Sequence, residues 1–265
     1  MITDDRTYVV FLSTWLKKSY PKFFDKFTAC LNENDIKWRF IGNTADIWCR
    51  DYMPIQIETD EFVQYRYYPD YLTKRESDKK YITNPDKACK SMYLFPSKKT
   101  DLVIDGGNVV KGADFVIMTE KVYHENPNYN PSEIHTELEN LFQCKVIMIP
   151  WDKCEKYGHA DGIVRPIDSE NVLLTNYVDY DKDFAEEVER RLSKHVHVEM
   201  LHYDVKSQTS VIGLISIFCK LEILSSYLQS TSKKMTKPSS RYKAIIHPVT
   251  STNLIAKKLS SKEVL

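Results

Sequence analysis

Short apolar runs alternate with stretches of helical spacing along the first ~205 residues, and no low-complexity linker breaks the order. Tyr8 to Leu12 reads as a buried strand, and Trp38 to Ile41 as a second. Between them Tyr20 to Leu31 places Phe23, Phe24, Phe27 and Leu31 at helical spacing, with Pro21 suited to a first turn. Leu102–Ile104, Val109–Val110 and Phe115–Met118 are three more strands, punctuated by Gly106-Gly107 and by Gly112-Ala113-Asp114. Asn130-Pro131-Ser132 opens a helix carrying Ile134, Leu138, Leu141 and Phe142. Strands at Val146–Ile149, Gly162–Arg165 and Val172–Thr175 come next, then a helix from Asp181 through Leu192, then a strand from Val196 to Leu201. This is the order of a single α/β domain.

Beyond that domain the chain changes character. From Lys220 to Leu265 there are nine Lys and Arg but only two acids, Glu222 and Glu263. The last glycine is Gly213 and the last aspartate is Asp204, while Ser and Thr crowd the remainder of the chain. The expected organisation is therefore a domain over 1–206 and an anomalous basic tail over 207–265. Over the whole chain 37 Lys and Arg balance 37 Asp and Glu, which argues against a nucleic-acid binder. No apolar run reaches the roughly 18 residues of a membrane span. The start, Met1 to Arg6, lacks the basic stretch and apolar core of a secretion signal, so a cytoplasmic protein is expected. The six cysteines are scattered without C-x-x-C or zinc spacing, which reads as free thiols and no metal.

Three clusters carry chemistry-bearing residues. In Asp46-Ile47-Trp48-Cys49-Arg50-Asp51-Tyr52-Met53-Pro54, an extended backbone would put Asp51 and Cys49 on one face and Trp48 and Arg50 on the other. By itself this also fits a strand end with a solvated ion pair. Asp105-Gly106-Gly107-Asn108 permits a tight turn or a close approach to a ligand, and by itself fits a hairpin turn. In Gly158-His159-Ala160-Asp161-Gly162 an extended backbone sets His159 and Asp161 on one face, the pairing used in general acid–base chemistry. His124, His135, His195, His197 and His202 have no such setting and read as surface or strand positions.

Together, in order and spacing, the three clusters resemble the agmatine deiminase and bacterial peptidylarginine deiminase family of guanidino-group-modifying enzymes. The match spans about Tyr8 to Lys206 and rests on Ile47 to Pro54, Asp105 to Asn108 and Gly158 to Asp161. The resemblance implies a pentein fold: an α/β propeller of five ββαβ units around a central site, here incomplete at the C-terminus. It implies that Asp51 and Asp161 grip a substrate guanidinium, which two carboxylates can bind bidentately. His159 would protonate the leaving ammonia and then activate water. Trp48 and Asn108 would shape the substrate slot. No cofactor is implied, and the partner would be agmatine or peptidyl arginine, with self-association into a homo-oligomer left open.

The family attacks the guanidinium carbon with a cysteine near its C-terminus, in a Gly-Gly-x-x-x-Cys pattern. This chain has no glycine after Gly213 and no cysteine after Cys219. Cys49, Cys154 and Cys219 are poor substitutes, because nucleophile geometry is exacting. In the adjacent reading frame the codons of Gly213 to Glu222 can spell Trp-Ala-Tyr-Ile-Asn-Phe-Leu-Gln-Thr-Gly, which resembles the family. Those of Lys262-Glu263-Val264 can spell Gly-Gly. A one-base slip near 207–213 is therefore expected, leaving the fifth unit and part of the fourth missing and the chain inactive as written. Two alternatives stay open: a non-catalytic binder of guanidino compounds through Asp51 and Asp161, and a basic tail serving as an anion-binding arm.

Overall fold

The computed structural model describes residues 1–200 apart from Asp4, Asp5, Thr7 and Tyr180. The expected tail over 207–265, Cys219 and His202 lie outside the described residues. Four small sheets hold the described strands. The first pairs β1 (Val9–Ser13) in parallel with β2 (Lys37–Ile41), joined through α1 (Thr14–Ser19) and α2 (Pro21–Glu33). The second runs β3 (Ile55–Glu58), β4 (Glu61–Arg66), β5 (Lys98–Val103); its crossover contains α4 (Asp70–Thr73) and α5 (Pro85–Ser91). The short helix α3 (Cys49–Tyr52) precedes β3. The third sheet runs β6 (Val110–Lys111), β7 (Phe115–Thr119), β8 (Lys145–Ile149), with α6 (Lys121–Glu125) and α7 (Pro131–Phe142) in the crossover. The fourth runs β9 (Val164–Pro166), β10 (Asn171–Leu174), β11 (His197–Met200), crossed by α8 (Lys182–Leu192).

In each three-stranded sheet the first two strands are antiparallel and the last two parallel. A hairpin feeds a helical crossover, so ββαβ occurs three times, and β1–α2–β2 supplies the same unit without a first strand. The fourth unit keeps all three of its strands, which corrects the expectation that part of it is missing. A fifth unit, if present, lies outside the described residues.

Local sequence explains these elements. Pro21 stands in the first turn of α2, where its missing N–H costs nothing. Asn130 and Glu133 form a reciprocal capping box at the start of α7, and the Asp181 side chain accepts from Phe184 N to start α8. Along β7 alternate side chains face opposite ways. Val116 and Met118 join one core with Ile134, Leu138 and Phe142 of α7, while Phe115 and Ile117 join another with Ala185, Val188 and Leu192 of α8. All five residues of β7 are buried, which is why its sequence is apolar without alternation. Leu138 is fully buried, so Leu138→Ala is expected to cost about 2–5 kcal/mol of stability in urea titration.

Sequence reasoning missed β3, β4 and α5. Gln56, Glu58, Glu61 and Gln64 dilute the apolar pattern of the hairpin, yet Ile55, Ile57, Val63 and Tyr65 point into the core at period two.

Candidate functional site

The three clusters occupy equivalent places in successive units. Each lies in the segment joining the last strand of one unit to the first strand of the next: β2 to β3, β5 to β6, and β8 to β9. That common placement brings Asp51, Asp105 and His159 together, with a ligating atom of each within 4.8 Å of the others.

The backbone at two clusters differs from the extended form expected. Cys49 to Tyr52 form α3, a single helical turn, so the two-face arrangement of Asp51 and Trp48 does not apply. Asp46 drives this, because its side chain accepts from Trp48 N at 2.9 Å and bends the chain before the helix. The buried Tyr65 hydroxyl lies 2.8 Å from the Asp51 carbonyl and 3.0 Å from that of Met53, which braces the far end. Gly106–Asn108 and Ala160–Gly162 are 3-10 turns. His159 itself is extended, but Asp161 lies inside the turn, so the two do not share a strand face.

The glycines of the second cluster serve a close approach. A methyl group on Gly107 would collide with His159 Nδ1 and come within 2.9 Å of Asp51 Oδ1. One on Gly106 would strike the Arg50 carbonyl and lie 2.6 Å from the Tyr65 hydroxyl. Gly-Gly is what lets α3 and the His159 segment meet over this turn.

Asp105 is buried, and its Oδ2 lies 2.9 Å from His159 Nε2 and accepts from the Tyr71 hydroxyl at 2.6 Å. Sequence reasoning gave Asp105 no role of its own, although its place before Gly-Gly was the available signal. The Asp161 carboxylate lies 3.3 Å from Arg50 Nε, and Arg50 is tied down by donating from Nη2 to the Val109 carbonyl at 2.7 Å. The solvated ion pair considered from sequence is thus a partly buried contact between two clusters. Trp48 is 55 % exposed at the edge of the site. Asn108 is buried beneath it: its Oδ1 accepts from Thr119 N at 2.9 Å and from Ala160 N at 3.2 Å. It therefore stitches the second cluster to the third.

Three carboxylates, Asp51, Asp105 and Asp161, face His159 and Arg50 here. Desolvation, then the neighbouring Asp105 carboxylate, holds the Asp51 carboxyl well above its ordinary range, with His159 opposing. Desolvation raises Asp161 as well, against the pull of Arg50 and His159. Burial would also raise Asp105, but His159 and the Tyr71 hydroxyl hold it below its usual value. Burial would lower His159, but Asp105 foremost pushes it up to about 10.

The pair's contribution to stability has a defined sign. A histidine raised in the folded state stabilises fully below its ordinary 6.5, and that stabilisation is lost as pH rises through about 10. Urea-unfolding stability is therefore expected to fall across that window by a few kcal/mol, since one pKa unit is worth about 1.4. His159→Gln should flatten the decline. An equal decline in the variant would mean that His159 is not the group responsible.

Two carboxylates and a histidine can hold either a divalent cation or a guanidinium. The third carboxylate, Asp161, lies beside Arg50 rather than within that trio. The thiols are a poor match for nucleophilic work. Burial pushes Cys49, Cys89 and Cys144 up to about 11 each. For Cys49 the nearby acid is Asp46 rather than the Asp51 expected from sequence, and the Tyr52 hydroxyl lies 3.2 Å from its sulfur. Cys154 is exposed. Among the described residues no helix is long and apolar enough to cross a membrane.

Comparison with known structures agrees with this architecture. A cysteine-to-serine variant of C. jejuni agmatine deiminase with substrate bound superposes with a TM-score of 0.60 at 16% identity, covering 88% of this chain and 86% of that one. Agmatine deiminase of Enterococcus faecalis gives a TM-score of 0.57 at 19% identity, covering 78% of this chain and 71% of that one. At such identities the likeness establishes the mixed α/β fold these proteins share. A comparison with curated protein sequences finds no match. At the level of sequence, the profile of the Porphyromonas-type peptidyl-arginine deiminase family matches residues 22–208, well over half of the chain. The span contains all three clusters, and the chain belongs to that family.

Proposed function

We propose that the site binds a guanidinium between Asp51 and Asp161, and that Asp105 and His159 form its proton-transfer pair. The observation that carries this is the convergence of Asp51, Asp105 and Asp161 with His159 and Arg50. A guanidinium supplies one positive charge and paired N–H donors, and its ionic hydrogen bonds would draw Asp51 back into the ionised form. In the intact family reaction a cysteine thiolate adds to the guanidinium carbon. His159 gives its proton to the departing nitrogen, which leaves as ammonia. His159 then takes a proton from the water that cleaves the amidino–sulfur bond, leaving a ureido product. Agmatine would yield N-carbamoylputrescine, and an arginine residue would yield citrulline. Trp48 would cover one side of the substrate slot. Asn108 supports the slot from beneath.

The chain as written is proposed to bind without turnover. Its family match ends at residue 208, beside the change in composition, and residues 209–265 contain no Gly-Gly-x-x-x-Cys. The raised thiols among the described residues support the same reading. A one-base slip near 207–213 accounts for the tail and predicts that restoring the frame returns the missing cysteine. The test is calorimetry with agmatine alongside an ammonia assay on the full chain. Binding without ammonia release is expected, and the frame-restored protein should release ammonia. Sustained release by the chain as written would overturn the inactive reading, and absence of any agmatine binding would overturn the site itself.

A further inference from the structure

Beneath the site lies a group of buried polar residues that the proposed chemistry leaves unused. Lys121 of α6 is 1 % exposed, yet it ends in an ammonium. Its Nζ lies 3.0 Å from Asp70 Oδ1 and 3.5 Å from Glu125 Oε1, and it donates to the Tyr157 carbonyl. It also sits 4.9 Å from the centre of the Tyr71 ring. Burying a lysine with two acids is costly, and an apolar trio would fill the same volume with less penalty. What the arrangement supplies is connection. Lys121 ties α4, through Asp70 and Tyr71, to the segment that carries His159, through the carbonyl two residues earlier.

Tyr71 is the point where these ties meet the site. Its hydroxyl donates to Asp105 Oδ2, the same oxygen that His159 Nε2 meets. Its ring packs edge-on to Tyr157 at 4.9 Å and against His159 at 6.1 Å. The Tyr71 hydroxyl is thus a hydrogen-bond donor on the oxygen that faces the histidine, while Asp51 also lies against this carboxylate.

We propose that Tyr71, locked in place by Lys121, is the positioning residue that aims the Asp105 carboxylate at His159. This inference rests on the reading of Asp105 and His159 as the proton-transfer pair. With Oδ2 held 2.9 Å from His159 Nε2, Nδ1 is left beside Gly107 and Asp51, where a bound guanidinium would lie. Nδ1 is then the nitrogen that exchanges protons with substrate.

The test is the titration of the His159 ring, followed by nitrogen NMR on the full chain and assigned by the signal that His159→Gln removes. The groups facing His159 are Asp105, Asp51 of α3, Asp161 with its partner Arg50, Tyr71 of α4, Tyr157, and Lys121 behind them. Tyr71→Phe removes only the hydroxyl. It is expected to lower the His159 titration by at least about one pH unit as Asp105 turns away, and to weaken agmatine binding about tenfold. Circular dichroism should be unchanged. Lys121→Met is expected to lower the titration similarly, with a lower thermal midpoint, and Lys121→Arg to restore it. A titration that stays put or rises in Tyr71→Phe would overturn the proposal, because simple packing predicts no change and loss of a donor without movement predicts a rise. This readout needs no ligand, so failure of the guanidinium reading would show separately, as wild-type chain that does not bind agmatine.

Discussion

Asp51→Asn is expected to weaken agmatine binding about 100-fold while making the empty protein more stable. The amide keeps the shape of the carboxyl but cannot offer a guanidinium two charged acceptors. Hydrogen bonds to charged groups contribute about 1.5–3 kcal/mol, and 1.4 kcal/mol is tenfold in affinity. The stability change has the opposite sign because Asp51 sits desolvated beside Asp105 and Asp161, which hold its carboxyl well above the ordinary range. Keeping it ionised without a bound cation is unfavourable, so removing the charge relieves the folded state at neutral and higher pH. Calorimetry and urea unfolding measure the two effects on the same sample. Unchanged affinity would remove Asp51 from the binding site, and lowered stability would mean that the carboxylate is held by partners other than those described.

Gly107→Ala and Gly106→Ala are expected to fail differently, although they are neighbours. The added methyl at 107 collides with the His159 ring and crowds Asp51 Oδ1, both of which are side-chain atoms. The fold can survive at a cost of about 1–3 kcal/mol, the usual range for overpacking, but His159 leaves Asp105. Agmatine binding should fall at least tenfold, and the His159 titration should move toward its ordinary 6.5. At 106 the methyl meets the carbonyl of Arg50, which is backbone and cannot rotate away. Here α3 must lift off the turn, and the expected result is a larger loss of stability. Equal outcomes at the two positions would show that the turn is looser than its contacts imply.

Both predictions concern the contact between clusters, which is where sequence and structure part company. The helices at Pro21, Asn130 and Asp181 were legible because a capping side chain or proline acts within three residues of itself. The strand of β7 was legible because four consecutive apolar residues, Phe115 to Met118, have few other uses. The hairpin of β3 and β4 was obscured, since its ten residues mix five polar side chains with five apolar ones. The helical turn at Cys49 to Tyr52 was hidden for another reason. It is a single turn, too short to show a period, and it is held by Tyr65, a residue 14 positions from Asp51.

The amino-acid sequence by itself determined the α/β class, the order of elements apart from β3, β4 and the short helices, and three clusters whose residue types suit a guanidinium. Through those clusters it also carried the family resemblance. Each of these depends on local propensity or on spacing within one segment. Only the tertiary structure decided that the clusters fill the same junction in three successive units and therefore converge. It also gave Asp105 to His159 and Arg50 to Asp161, placed Asn108 underneath the site, and set Tyr71 and Lys121 behind the pair. These partners lie about 30 to 110 residues apart in sequence, and no periodicity links them. They meet because α7 packs against the second sheet and α8 against the third, and that packing is a property of the assembled core rather than of any one segment.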